Sequence, residues 1–156
     1  MENYLIANPW LRVLIVDHDQ YTRVKIDKTL ASLGYHRVAP LSSFCELMTI
    51  IDGAMSVFDL LIINEAVLKS ADSLFEQTIR DCPNIRHLLI YQEGDLQQTS
   101  AIEFSMQSTD FTLPRIPDRE SISQVMSFID MSTFVKAGDE HKSRFRHSCK
   151  SASWLM

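Results

Sequence analysis

Five short apolar runs alternate with longer segments of helical spacing, and this alternation constrains the fold of the 156-residue chain more than any other feature. The runs are RVLIVD (12–17), YHRVAPL (35–41), FDLLIIN (58–64), IRHLLIY (85–91) and DFTL (110–113). Runs this short, rich in branched apolar residues and bounded by polar ones, are typical of strands buried on both faces. Strands that alternate with helices predict a parallel sheet with helices on both of its faces.

The segments between the runs carry signals that start and end helices. Asp19 is placed to cap the first helix and Gly34 to follow its end. Ser42 or Ser43 can cap a second helix, which stops at Gly53. Three further helices are predicted: 70–83 with the stripe Leu74, Phe75 and Ile79, a weak polar helix over 96–108, and 118–134 with Ile122, Val125, Met126 and Ile129 facing inward. The apolar pattern of the second helix also predicts that Cys45 lies in the core.

Five strand–helix repeats with right-handed crossovers favour a doubly wound α/β fold, a (βα)5 flavodoxin-like sheet with strand order 2-1-3-4-5. We assign the domain to 11–131 and treat 132–156 as a flexible tail, because it is polar and lacks periodicity. In such sheets ligands bind beyond the carboxyl ends of the strands, at the switch point between the first and third strands. This rule selects Asp17, His18 and Asp19 after the first strand and Asn64 at the end of the third.

Composition excludes several classes of protein. The chain is 46% hydrophobic, enough for a core, yet no run reaches the roughly 18 apolar residues of a membrane span. The first residues, MENYLIANPWLR, do not have the pattern of a secretory signal. Three widely spaced cysteines form neither a metal-binding pair nor a disulfide framework, which favours a reducing cytoplasm.

Charge is unevenly distributed along the chain. Residues 133–156 carry five Lys/Arg and two Asp/Glu, a balance of +3, so the remainder of a chain with net charge −5 carries −8. An acidic body with a short basic tail argues against a nucleic-acid-binding domain, which would present a basic face.

The stretches LIVDHD, FDLLIIN, LLIYQ and DFTLPRIP, in this order and spacing, resemble the receiver domain of bacterial two-component response regulators across residues 11–131. In that family, acidic residues after the first strand and an aspartate after the third bind Mg²⁺. The aspartate accepts a phosphoryl group from a histidine kinase. A Thr or Ser after the fourth strand and a Lys after the fifth then hold the phosphoryl oxygens.

The acidic positions of this pattern are altered in the present chain. Asp17 matches the first acid and Asp19 the acidic residue that often follows, but His18 stands where the second acid is expected and Asn64 stands at the phosphoacceptor. An amide is a far poorer nucleophile than a carboxylate. Two negative charges are also lost, and Mg²⁺ prefers carboxylate oxygens. We therefore expect no aspartyl phosphorylation, weak or absent Mg²⁺ binding, no other cofactor and no enzymatic activity.

The remaining positions of the pattern also differ from the family. The Thr/Ser position falls on Tyr91 or Gln92, and the Lys position on Pro114 or Arg115. Leu68 stands where a proline is usual. Tyr91 either locks one state of the switch or is an aromatic residue of a buried strand. Arg115 either binds an anion in place of the Lys or is a solvated charge of a loop.

The pocket residues have plainer interpretations as well. Asp17 and Asp19 either hold a metal or cap the first helix and bond the loops. His18 is a metal ligand, a pH sensor or a polar loop residue. Asn64 either imitates one signalling state or is a tolerated polar residue at a strand end.

The resemblance implies a stand-alone pseudo-receiver, a cytoplasmic interaction module that works without phosphorylation. Its partner would be a kinase, an output protein or another regulatory protein, or a second copy of the chain. The family's pairing face comprises the fourth helix, the fifth strand and the fifth helix; its apolar candidates here are Ile116, Ile122, Met126 and Phe128.

Three alternatives remain open at the level of sequence. A small-ligand or metal sensor would use Asp17, His18 and Arg115. A regulator could contact nucleic acid through HKSRFRHSCK (141–150), which would make binding salt-sensitive. An ordinary phosphorylated receiver would need a neighbour to replace Asn64.

Overall fold

The computed structural model describes residues 7–94, 103–104 and 110–139, except the side chains of 103–104 and 133–139. The strands are β1 Arg12–Val16, β2 Arg37–Leu41, β3 Phe58–Asn64, β4 Ile85–Tyr91, β5 Glu103–Phe104 and β6 Asp110–Leu113. The helices are α1 Gln20–Ser32, α2 Phe44–Asp52, α3 Glu65–Ser70, α4 Ser73–Arg80 and α5 Arg119–Asp139.

The sheet has the order β2-β1-β3-β4-β6-β5. Five of its strands, β1, β2, β3, β4 and β6, are mutually parallel and lie within the five apolar runs of the sequence. The two-residue β5 pairs antiparallel with β6 at the edge. The parallel part therefore has the predicted order 2-1-3-4-5, which is consistent with a flavodoxin-like fold. This arrangement puts β1 between β2 and β3, so the carboxyl ends of β1, β3 and β4 lie side by side.

Alternate residues of the central strands enter two separate apolar clusters, because successive side chains of a strand point to opposite faces. Val13, Ile15, Leu60 and Ile62 belong to the cluster that includes residues of α1 and α5. Leu14, Val16, Leu61 and Ile63 belong to the cluster that includes residues of α2, α3 and α4. Strands buried on both faces explain the near-continuous apolar runs.

Helix caps follow the sequence signals. The Asp19 side chain caps α1 by accepting from Thr22 N, and Ser43 caps α2 by accepting from Glu46 N. Gly34 follows α1 with a φ of 99°, a left-handed conformation that suits glycine. Gly53 is the C-terminal cap of α2, as predicted.

The predicted helix over 70–83 is shorter than expected and is preceded by another. The short helix α3 begins directly after Asn64, and α4 spans only Ser73–Arg80. Phe75 and Ile79 are buried as predicted, but Leu74 is 71% exposed. The prediction for Leu74 is wrong because its neighbour Phe75 takes the core position. Phe75 packs edge-to-face against Phe44, with the ring centroids 3.7 Å apart.

Three other local predictions need correction. Glu103–Phe104 form strand β5 rather than part of a helix, and the rest of 96–108 lies outside the described residues. Helix α5 continues to Asp139, past the predicted end of this helix at 134. Cys45 is exposed, since α2 turns Leu47 and Ile51 toward the core instead.

Candidate functional site

Three polar side chains meet where β1, β3 and β4 end. Asp17 follows β1, Asn64 is the last residue of β3, and Tyr91 is the last residue of β4. Asn64 and Tyr91 are neighbours in the register of the two strands. All three side chains are buried, with exposures of 2%, 3% and 0% respectively. Two members of this cluster, Asp17 and Asn64, are residues that the switch-point rule selected.

The carboxylate of Asp17 accepts hydrogen bonds on both of its oxygens. Its Oδ1 accepts from the Asp19 backbone N–H at 2.8 Å. Its Oδ2 accepts from the Asn64 amide at 3.1 Å and from the Tyr91 hydroxyl. A buried carboxylate is costly unless hydrogen bonds replace its lost water, and these three donors do so. Asp17 therefore organises the loop and the two strand ends instead of facing solvent.

Asn64 uses both atoms of its amide. Its Nδ2 donates to Asp17 at 3.1 Å and to Oε1 of Glu93 at 3.3 Å, while its Oδ1 accepts from Ala66 N at 2.9 Å. The backbone N–H is a donor only, so it fixes the amide oxygen on the α3 side and the NH2 group between the two carboxylates. Asn64 is also the N-terminal cap of α3. A carboxylate here could cap the helix but could not donate to Asp17.

Tyr91 combines the two interpretations that the sequence left open. It is fully buried in the cluster that contains α1 and α5, as expected of an aromatic residue in a buried strand. Its hydroxyl also donates to Asp17, so the strand residue takes part in the pocket. Burial first, and then the Asp17 bond and nearby carboxylates, raise the pKa of Tyr91 well above its usual value. The phenol therefore stays a neutral donor under ordinary conditions.

The residues that follow Asp17 face outward. Asp19 is exposed and caps α1, and the hydrogen bond from the Thr22 hydroxyl lowers the pKa of its carboxyl. His18 is exposed, and its Nδ1 lies 3.0 Å from the carbonyl oxygen of Ser42. Capping by Asp19 thus agrees with the plainer of its two interpretations. His18 is tied to the loop before α2.

Glu93 and Gly94 belong to the site and were not selected from the sequence. The Glu93 carboxylate accepts from Asn64, and a Cβ placed on Gly94 would overlap the backbone carbonyl oxygen of Pro114. The close approach brings the loops after β4 and β6 together. The glycine in YQEG is a turn signal in the sequence. Its contact with Pro114, however, depends on how β4 pairs with β6, which the sequence alone does not give.

The positions after β4 and β6 are engaged in local contacts. Gln92 is exposed, and its backbone N–H donates to the Leu113 carbonyl at 3.1 Å. Arg115 pairs with Asp118 at 2.8 Å, with about two fifths of each side chain exposed. Pro114 contributes the carbonyl that meets Gly94. Arg115 is therefore a paired loop charge and does not enter the Asp17 cluster.

Two residues proposed for an exposed pairing face are in fact buried. Ile122 and Met126 are each 1% exposed, because they lie on the side of α5 that packs on the sheet. Ile116 is partly buried against the same cluster. Phe128 is 43% exposed and packs edge-on against Phe111 with centroids 5.4 Å apart. Of these four, Phe128 alone offers a substantial exposed apolar surface.

The donor set does not fit Mg²⁺. Within the described ranges, no three His, Cys, Asp or Glu residues are placed to hold a metal ion. Both oxygens of Asp17 face protein donors, and the amide oxygen of Asn64 faces Ala66. A cation in the cluster would meet the N–H and O–H groups of Asn64 and Tyr91, which are donors and not ligands for a hard ion.

Comparison with known proteins places the chain in no family: no family model, no curated protein and no solved structure matches it. The class of protein is therefore defined by the fold and the site, an α/β protein with a closed polar cluster at the switch point of its parallel sheet. In the described part of the chain no helix has both the length and the apolar character to cross a membrane.

Proposed function

We propose that the chain is a pseudo-receiver, a doubly wound (βα)5 module of bacterial two-component-type signalling that acts in the cytoplasm by binding another protein. It undergoes no aspartyl phosphorylation and carries out no catalysis. The proposal is supported by the sheet order, by the polar residues at the switch point and by the order of the receiver-like stretches in the sequence. The doubly wound arrangement and the relationship to receivers are parts of this proposal.

One observation carries the argument. The amide of Asn64, at the position of the phosphoacceptor, donates to Asp17, and the same carboxylate accepts from Tyr91. A phosphoacceptor must offer a nucleophilic oxygen beside a bound cation. Asn64 instead places its NH2 group toward Asp17 and Glu93, and its oxygen is used as a helix cap. The cluster is complete without a cation, which favours a role for the fold as a binding scaffold.

The direct test uses acetyl phosphate with Mg²⁺ and intact-mass spectrometry of the full chain. We expect no phosphoryl adduct on the native protein, and no change in its amide NMR spectrum near Asp17 when Mg²⁺ and beryllium fluoride are added. The N64D variant in the same mixture reports whether the scaffold retains the chemistry once the carboxylate is restored. A stable adduct on the native chain would contradict the proposal.

Self-association tests the interaction part of the proposal. Phe128 and Met131 lie three residues apart on α5 and are 43% and 62% exposed, so they form an apolar surface beside β6. We propose this surface for a homodimer or for a signalling partner.

Light scattering across a concentration series should show dimers that M131E abolishes. Q124E, an exposed position one turn before Phe128, is the control for added charge. A native chain that stays monomeric at every concentration would exclude the homodimer.

A further inference from the structure

The end of the sheet opposite the Asp17 cluster has an exposed surface that the proposed function does not use. Trp10 is 68% exposed and Met55 is fully exposed, at 101%. The guanidinium carbon of Arg37 lies 4.6 Å from the ring centroid of Trp10. Arg37 lies beside Arg12 in the register of β1 and β2. Arg12 Nη1 in turn donates to the carbonyl of Ser56 at 3.1 Å, and Met55 is the residue before Ser56. We call Trp10, Arg12, Arg37 and Met55 the Trp10 surface.

The two arginines of the Trp10 surface differ in how their N–H groups are used. The guanidinium carbon of Arg12 lies 4.2 Å from the ring centroid of Phe58, and its Nη1 donates to Ser56. Some of the N–H groups of Arg12 are therefore already used. Arg37 is exposed, and among the described residues it makes the Trp10 contact but no hydrogen bond or ion pair. A guanidinium has five N–H donors in one plane, and stacking on an indole orients that plane. An oriented guanidinium with free donors is suited to a carboxylate, which it binds through two parallel hydrogen bonds.

Acidic residues near this end of the sheet are directed elsewhere. Asp59 accepts from the Arg12 backbone N–H at 2.8 Å and lies 3.8 Å from Arg86. Among the described residues no carboxylate forms an ion pair with Arg37, so its charge is not neutralised there. It forms a local positive feature on a chain whose first 132 residues carry a net charge of −8.

We infer that the Trp10 surface binds an acidic peptide segment of a partner protein, with a carboxylate on Arg37 and an apolar side chain against Trp10 and Met55. Tryptophan, methionine and arginine are among the residues enriched at protein interfaces. The charge of Arg37 favours an anionic group, and the exposed indole and thioether favour an apolar neighbour. Nucleic acid fits less well, since an extended polyanion would be repelled by the acidic body. Because the surface lies away from the Asp17 cluster, the inference does not depend on the state of Asn64.

The experiment is a selection of random displayed peptides on the immobilised full-length chain, with prior depletion on the W10A/R37Q double variant. We expect the recovered peptides to combine Asp or Glu with a large apolar residue. Affinity is then measured for one recovered peptide and for its Asn/Gln counterpart by the fluorescence of Trp10 in a W154F background. R37Q should weaken binding of the acidic peptide by about tenfold or more, because a charge-assisted pair is lost.

Matched variants separate recognition from folding. Arg37 and Trp10 are exposed, so R37Q and W10A should unfold at the same urea concentration as the native chain. R37K keeps the charge but loses the planar fork, and it should bind between the native chain and R37Q. The inference is overturned if selection recovers no peptides, if they are neutral or basic, or if the Asn/Gln peptide binds equally well. Tighter binding of a thymidine oligonucleotide than of the acidic peptide would also overturn it.

Discussion

At the scale of single residues, the candidate site is organised around a buried carboxylate that accepts hydrogen bonds from three residues. Asp17 accepts from the Asp19 backbone, from Asn64 and from Tyr91. Each donor removes part of the cost of burying a charge. The residue types at positions 64 and 91 therefore matter through their capacity to donate, and single substitutions test this directly.

The first prediction compares N64D with N64A. Both variants lose the bond to Asp17, which should cost about 1.5–3 kcal/mol. N64D also puts a third carboxylate beside Asp17 and Glu93, and repulsion raises the pKa of the introduced carboxyl group in the folded state. Its extra penalty should be fully present above that raised pKa and should shrink as the pH falls from it toward the unfolded value of about 4. Urea unfolding should thus find a larger deficit of N64D relative to N64A near pH 8 than near pH 5. The same difference between the two variants at both pH values would refute the repulsion.

The second prediction concerns the hydroxyl of Tyr91. Y91F should destabilise the chain by about 1–3 kcal/mol, because a buried carboxylate loses a donor while the ring packing is kept. Y21F removes the hydroxyl of a tyrosine that is 75% exposed, and it should change stability by less than about 0.5 kcal/mol. Urea unfolding followed by circular dichroism measures both. A Y91F variant as stable as Y21F would mean that Asp17 does not depend on the phenol.

At the scale of elements, the site is built by the loops that leave neighbouring strands. The register of β3 with β4 puts Asn64 beside Tyr91, and the contact of Gly94 with Pro114 holds the loops after β4 and β6 together. At the far edge, Pro40 in β2 lacks the N–H that another strand would need, which protects the edge from pairing.

The third prediction follows from the close approach at Gly94. G94A should destabilise the chain by about 1–3 kcal/mol, because its methyl group must displace the Pro114 carbonyl and separate the two loops. Gly53 is the matched control: its φ is −90°, and an added Cβ would lie 3.4 Å from the Thr49 carbonyl oxygen. G53A should be neutral or stabilise by up to about 1 kcal/mol. Thermal unfolding of both variants checks the comparison, and a neutral G94A would show that the loops move freely.

At the scale of the whole molecule, two buried tyrosines link distant parts of the chain through carboxylates. The Tyr91 hydroxyl joins β4 to the loop after β1, and the Tyr35 hydroxyl donates to Oδ2 of Asp130 at 2.6 Å, joining the end of α1 to α5. Burial and then these hydrogen bonds raise the pKa of both phenols above the usual value. The folded state therefore retains two phenol protons that the unfolded chain releases in alkali.

The fourth prediction is a loss of global stability in alkali. Because both phenols have raised pKa values when folded, their contribution is fully present below about pH 10 and declines as the pH rises beyond it. Melting temperatures between pH 9 and 11 should fall for the native chain, and the fall should be smaller for Y91F and for Y35F. Identical slopes in all three proteins would mean that other groups cause the alkaline loss.

Strand positions were predictable because burial on both faces leaves a strong local record in the sequence. The limits of β3, β4 and β6 coincide with the apolar runs FDLLIIN, IRHLLIY and DFTL. The weak polar pattern over 96–108 left no such record, and the strand at Glu103–Phe104 depends on pairing with β6. The stripe that selected Leu74 failed because two adjacent apolar residues competed for one buried position.

The sequence by itself determined the parallel order of the sheet, the cap at Asp19, a serine cap at position 42 or 43, and the meeting of Asp17 with Asn64 at the strand ends. These features follow from periodicity, capping chemistry and the switch-point rule, which act within short segments or through few topologies. Tertiary structure alone decided that Tyr91 and Glu93 complete the cluster, that Arg115 stays outside it, and that Arg37 stacks on Trp10. Such contacts join residues far apart in sequence, and their geometry depends on side-chain directions that no local pattern specifies.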